Sequence, residues 1–463
     1  MNSQLTGQDA LFFNVDRPHA PSYCTLVAIY EPSAVHGERP GFRDIVRHVG
    51  GRLDASPVFR QRIVRTSFGL GYPHWVEDAL FDIDLHLRHA VLPAPGDWRQ
   101  LCDAVARIQA DALDLTRAPW EMHVIDGLDA IDGLPRGSFA IVTRVHHAVL
   151  DGAAAAELIR ALHDFAGDRP DVAEAPHEHQ PPPGPLESVA RTLGDNLAAA
   201  ARLGMPLARL LPRLAAAGLR SAAFVQGAPR TRFNVDISAR RVWDLLSLDL
   251  EDVQRIKRSV PGATLNDVAL ALVGGALRRY LLARNELPAR SLVALAPVNT
   301  RRHASEKRTS GNSVSMLRVP LGTDIEDPLA RLRAVHEASV EAKTLHDSLG
   351  PGELTNLQKL APPAALALAG RVASLTGLGG RGPFPLHNCM VSNVPGPREP
   401  LHLLGARLVR LGGVGPLLDG LSLFFNPTSY CGKLFISVTS TPEVLPDPEF
   451  MLRCLRESFE EAL

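Results

Sequence analysis

Hydrophobic positions fall into two patterns that trade places along most of the chain: strand-length apolar blocks, and longer stretches where apolar residues recur every three or four positions. Residues 139–145, FAIVTRV, form a strand by this criterion. Beyond Asp151, Leu158, Leu162 and Phe165 predict a helix running toward Gly167. Upstream, the pattern predicts a short helix at 5–13, a strand at 23–30 and a turn and strand at 56–64 with Arg60 and Arg62 on one face. A helix at 100–113 follows, then a turn and strand at 117–128 anchored by Trp120. Downstream, a strand approaches residue 250, and 262–281 is a helix apolar nearly all round and therefore buried. Strands at 292–301 and 311–321, a helix at 324–342, strands from 387 to 438 and a closing helix at 447–462 complete the pattern.

Two kinds of segment break this alternation. Residues 168–187 contain Pro170, Pro176, Pro181, Pro182, Pro183 and Pro185, which rules out a packed helix or central strand and predicts a linker. Residues 193–225, with Arg202, Arg209, Arg213 and Arg220 among Leu, Ala and Met, read as amphipathic helices, and 354–375 as an apolar helical stretch. The first suits either a lipid surface or a crossover packed between domains; the second suits contact with lipid. A chain of 463 residues exceeds one ordinary core. The expected division is an N-terminal domain at 1–180, a linker with crossover helices at 181–230, and a C-terminal domain at 231–463.

Composition narrows the function. A hydrophobic fraction of 45% with 21% charged residues is that of a soluble globular protein, and a formal net charge of -1 gives no electrostatic case for a nucleic-acid partner. The five cysteines are scattered without a CxxC pair, which argues for free thiols in a reducing cytoplasm and against zinc. The N-terminus is polar and lacks an export signal, and the longest apolar run of the motif regions, 268–277, is about half a membrane span. The expected location is cytoplasmic, peripheral to the inner membrane face or to lipid inclusions.

Candidate chemistry sits where the 139–145 strand turns into its helix, at His146, His147, Asp151 and Gly152. Successive strand side chains point to opposite faces, so one histidine can face a cavity while the other is held in the scaffold. His147 is the candidate for general-base work, with His146, Asp151 and Gly152 in support. The plain alternatives are a hydrogen-bonded structural histidine, an Asp151 that only caps the helix, and a Gly152 that permits close packing. Adjacent strand histidines diverge and no Cys or carboxylate cluster completes a ligand set, so no metal is expected. Asn266 and Asp267, at the mouth of the buried 262–281 helix, are polar groups near a core with capping as their plain role.

HHAVLDG, residues 146–152, resembles the HHxxxDG signature of the superfamily that includes chloramphenicol acetyltransferase, peptide-synthetase condensation domains and bacterial wax ester synthase/diacylglycerol acyltransferases. Asn266-Asp267 resembles the ND motif of the last group, GNSVS at 311–315 its GNxVS, and SNVPGP at 392–397 its motif of the same letters. Ala118-Pro119-Trp120 stands where Pro-Leu-Trp is usual, and Phe424 where that family carries Asn, whose polar role must be absent or moved to Asn426. The resemblance runs from about residue 5 to the C-terminus.

The resemblance implies an α/β (α+β) fold of two chloramphenicol-acetyltransferase-like domains, each a mixed sheet with helices, with a tunnel at their interface. It implies acyl transfer from acyl-CoA, a co-substrate and not a bound cofactor, to the hydroxyl of a long-chain alcohol or diacylglycerol. His147 would be the base, Asn266 the first candidate oxyanion donor, and Asp267, Ser392 and Asn393 further positioning groups. Asp151 would fix its loop through an ion pair, with Arg301 as a candidate partner. The alternatives are acyl transfer to another hydroxylated lipid or polyketide, a carrier-dependent condensation enzyme, and a catalytically silent lipid-droplet surface protein.

Overall fold

In the computed structural model, the described residues are 4–32, 39–53, 57–66, 71–149, 159, 162–164, 194, 196–198, 227–299, 314–348, 365, 368 and 385–463. Asp151, Gly152, Arg301, the 168–187 linker and nearly all of 193–225 and 354–375 lie outside them.

Two mixed sheets organise the chain. The first has six strands: β1 (Tyr23–Glu31), β4 (Leu87–Val91), β5 (Trp120–Asp126), β6 (Phe139–His146), β12 (His402–Leu403) and β13 (Ala406–Val414), in the order β12-β13-β1-β6-β5-β4. Only the β4–β5 pair is parallel. The strand β6 is buried along its whole length and central, which explains a near-continuous apolar run in place of strict alternation. Its register sets Tyr23 of β1 opposite His146.

The second sheet has the order β7-β15-β14-β10-β8-β9. Its strands are β7 (Val242–Asp249), β8 (Val293–Asn299), β9 (Val314–Pro320), β10 (Cys389–Val391), β14 (Phe424–Tyr430) and β15 (Lys433–Ser440), with β11 (Val394–Pro395) beside β14. A two-stranded ribbon pairs β2 (Gln61–Val64) with β3 (His74–Glu77). Arg60 and Arg62 do not share a strand, contrary to the sequence pattern: Pro57, with its fixed φ, starts a 3-10 turn, Pro57–Arg60, and the strand begins only at Gln61.

Helices α1 (Gly7–Val15), α2 (Phe42–Gly50) and α3 (Trp98–Ala110) belong to the first half, and α4 (Leu250–Arg258), α5 (Leu265–Leu282), α6 (Pro328–Ser348) and α7 (Pro448–Ala462) to the second. The helix α5 is the buried axis of the second core, packed on α6 and α7. Gly274 and Gly275 let it sit that deep, since a Cβ at Gly274 would fall 2.0 Å from the Leu321 carbonyl oxygen and one at Gly275 2.1 Å from Ser458 Oγ. No helix of the described residues is long and apolar enough to cross a membrane.

The halves are interlocked. Strands β12 and β13, late in the chain, complete the first sheet against β1, and β13 packs in turn on β14 and β15. A division by sheet therefore differs from a division by chain position at residues 180 and 231. Two indoles pin the seam: the half-buried Trp98 donates Nε1–H to Asp244 at 2.7 Å, and the fully buried Trp243 donates Nε1–H to the Gly413 carbonyl at 3.0 Å. Near the start of β1, His19 meets Asp419 at 3.1 Å while Arg241 donates to the His19 carbonyl at 2.7 Å.

Candidate active site

The strand β6 ends at His146, and His147 is the first residue of the turn that follows. His146 is fully buried, and both ring nitrogens are engaged. Its Nδ1 accepts from the Ala148 N–H at 3.1 Å, so the ring proton sits on Nε2, which donates to Asp16 Oδ2 at 2.8 Å. Its own N–H donates to the Pro119 carbonyl at 3.0 Å, and its carbonyl accepts from Val149 N–H at 2.9 Å. The Ala118-Pro119-Trp120 turn thus braces the strand end despite its departure from Pro-Leu-Trp. Trp120 anchors that turn: it is fully buried, donates Nε1–H to the Phe59 carbonyl at 2.9 Å and stacks on His86 at 4.5 Å.

His147 turns the other way and is only half-buried. Its main-chain N–H donates to the Ser22 carbonyl at 2.7 Å, and its ring lies face to face with Phe12 of α1, centroids 3.7 Å apart. Desolvation lowers the imidazole pKa to about 4, with the neighbouring His146 acting in the same direction and the residue's own carbonyl opposing it. At neutral pH the ring is uncharged and has a lone pair to offer, the protonation state a general base requires. No side chain of the described residues bonds its buried Nδ1.

Support comes from residues that sequence reasoning passed over. Arg144, two positions before His146 and so on the same strand face, is 2% exposed. It donates to the carbonyls of Ile108 at 2.6 Å and Asp111 at 2.5 Å and to Glu121 at 2.6 Å, tying the end of α3 to β5 and β6. A charged residue inside an apolar strand was the available signal for Arg144. Asp16 and Phe12 gave none, because the histidines they touch are more than a hundred residues away in the chain.

The second-half candidates fall into two groups. Thr264 caps α5 in a reciprocal box with Asp267, whose Oδ2 accepts from Thr264 N–H at 2.9 Å and faces His336 Nδ1 of α6 at 3.0 Å. Asp267, 1% exposed, is thereby committed to the helix end. Asn266, half-buried in the first turn of α5, has no side-chain partner among the described residues. Ser392 and Asn393, both half-buried, form the link between β10 and β11. Ser392 donates its N–H to the Phe425 carbonyl at 2.9 Å and accepts at its carbonyl from Asn426 Nδ2 at 2.7 Å. Asn426 and Phe424 share a face of β14; the asparagine holds the SNVPGP turn, and the phenylalanine packs with Ala20, Ile237 and Leu417. Cys389, fully buried in the second core, has its thiol pushed far up by desolvation, which disfavours the thiolate that a nucleophile needs. Among the described residues, no group of three His, Cys, Asp or Glu could hold a metal ion.

Residues 5–269 match the wax ester synthase/diacylglycerol acyltransferase catalytic domain, and residues 310–462 the WS/DGAT C-terminal domain. A Mycobacterium tuberculosis protein named as a diacylglycerol O-acyltransferase is 32% identical over 99% of this chain and 89% of its own length. Among solved structures, the wax ester synthase/diacylglycerol acyltransferase of Marinobacter aquaeolei VT8 is 27% identical with a TM-score of 0.70, covering 99% of this chain and 98% of that one. The first condensation domain of the CDA synthetase, at 17% identity and a TM-score of 0.58 over 100% of this chain and 96% of its own, shares the fold. The two-domain mixed α/β architecture is that of both structures.

Proposed function

The chain belongs to the wax ester synthase/diacylglycerol acyltransferase family, and we propose that it moves a fatty acyl group from acyl-CoA to the hydroxyl of a long-chain alcohol or a diacylglycerol, with His147 as the general base. One observation carries the assignment of roles: of the paired histidines, His146 has both nitrogens committed, while His147 is half-buried, uncharged at neutral pH and unbonded by any other described side chain.

An alcohol is a poor nucleophile until its proton is taken. The neutral His147 removes that proton as the alcohol oxygen attacks the thioester carbonyl, and the negative charge moves to the carbonyl oxygen. A preorganised donor must meet that oxyanion, and Asn266, whose side-chain amide has no partner among the described residues, is the first candidate, ahead of Ser392 and Asn393. When the tetrahedral adduct collapses, the C–S bond breaks and His147 returns the proton to the CoA thiolate, leaving ester and free thiol. Acyl-CoA acts as co-substrate. The substrates partition into lipid, so the protein works at a lipid surface, the inner membrane face or an inclusion, without spanning it.

Purified protein given palmitoyl-CoA with either hexadecanol or a diacylglycerol should release CoA thiol and form the matching neutral lipid. Release of CoA with no ester from either acceptor would refute the acceptor class. Without any acceptor, CoA release should be limited to slow hydrolysis, with no acyl mass added to the protein. Liposome flotation tests the surface: a fraction of the protein should rise with the vesicles.

A further inference from the structure

We propose that Asp16 is a positioning residue for the transfer reaction, acting through His146 and Ser22 to hold the His147 imidazole where it takes its proton. The inference rests on the reading of His147 as base. Its observations are geometric. The Asp16 carboxylate leaves the end of α1 and accepts two hydrogen bonds, from His146 Nε2–H at 2.8 Å and from the Ser22 N–H at 2.6 Å. The carbonyl of the same Ser22 accepts the His147 N–H at 2.7 Å. One carboxylate therefore grips the side chain of the first histidine and the main-chain hydrogen-bond partner of the second.

The chemistry requires an acceptor on both sides. His146 is sealed from water, and its Nδ1 is already used by the Ala148 N–H, so Nε2 must carry the proton and must find an acceptor. Ser22 presents another N–H to the same group. An ionised carboxylate satisfies both, whereas an amide of the same size has one oxygen and one NH₂ and must turn a donor toward one of them. The unrelieved clash falls on the turn from His146 to Ala148 that contains His147. The helix α1 places two further groups on the pair, Phe12 against His147 and Phe13 edge-on to His146 at 5.6 Å, so the end of α1 is the brace and Asp16 its polar contact.

Asp16→Asn, Asp16→Glu, His147→Ala and the Asp16→Asn/His147→Ala double variant, assayed in the full chain with palmitoyl-CoA and hexadecanol, decide the matter. We expect Asp16→Asn to lower kcat by at least about tenfold with KM within about threefold, and Asp16→Glu, which keeps the carboxylate, to recover part of the rate. In the His147→Ala background, Asp16→Asn should cost nothing further, since the residue it positions is gone. Nitrogen-15 spectra of histidine-labelled protein should show His146 with an unprotonated Nδ1 in wild type and a changed pattern in Asp16→Asn. Wild-type kcat in Asp16→Asn, a loss confined to KM, or an equal loss with and without His147 would overturn the proposal. A fully active His147→Ala would instead overturn the reading of the base.

Discussion

At His147 the physical question is how an imidazole stays uncharged in mild acid. Burial against Phe12 answers it, placing the pKa at about 4, where an exposed histidine would titrate near 6.5. A lowered pKa preserves the basic form to lower pH, so the acid limb of kcat/KM should stay flat until about pH 5. Phe12→Ala lets water reach the ring and should move that limb up toward pH 6.5, a shift that pH–rate profiles of the two proteins resolve. His147→Ala should lower transfer by at least about 10²-fold with the melting temperature nearly unchanged. His146→Ala should also unfold more readily, because it strands the largely buried Asp16 carboxylate, at a cost of about 1–3 kcal/mol. Strand alternation predicts that the two histidines differ in environment, and they do: His146 has both ring nitrogens engaged, while His147 is half-buried against Phe12. What holds them was not legible: the Asp16 contact spans 130 residues, and no local pattern encodes a meeting that the β1–β6 register creates.

Among the elements, those with one unbroken period were the readable ones. The helix α5 is apolar on nearly every face because it is packed on nearly every face, and the run VALAPVN becomes β8. The reading failed where a turn overrode the pattern, as Pro57 did for Arg60. It was incomplete where a polar group had two plausible employments: Asp267 caps α5 and faces His336, while its neighbour Asn266 carries no such bond among the described residues. The paired glycines of α5 look like a helix weakness in sequence, and only the approach of Leu321 and Ser458 explains them. Gly274→Ala should therefore destabilise the protein although alanine favours helices, since its methyl meets backbone rather than a movable side chain. About 1–3 kcal/mol is expected, read from urea unfolding midpoints at constant m.

For the molecule as a whole, the exchange of β12 and β13 makes the two halves one folding problem. Without those strands, β1 would expose an unpaired edge, and the first core would lose Leu401, Leu403, Leu408 and Leu411, all buried within it. Fully burying each such leucine contributes roughly 1.5–3 kcal/mol, so the loss is comparable to the whole stability of an ordinary domain. The second half suffers in a complementary way, since Trp243 and Asp244 of β7 are buried with partners in β13 and α3. A cut at residue 230 should thus yield two fragments that do not fold alone, although a break in the sequence pattern invites it. Residues 1–230 expressed alone should lack cooperative thermal unfolding and bind a hydrophobic dye, and co-expression with residues 231–463 should recover a complex that melts in a single transition. A sharp melt and a dispersed amide spectrum from residues 1–230 alone would show that the exchanged strands are dispensable, and with them the argument that the sheet rather than the chain order defines the folding unit.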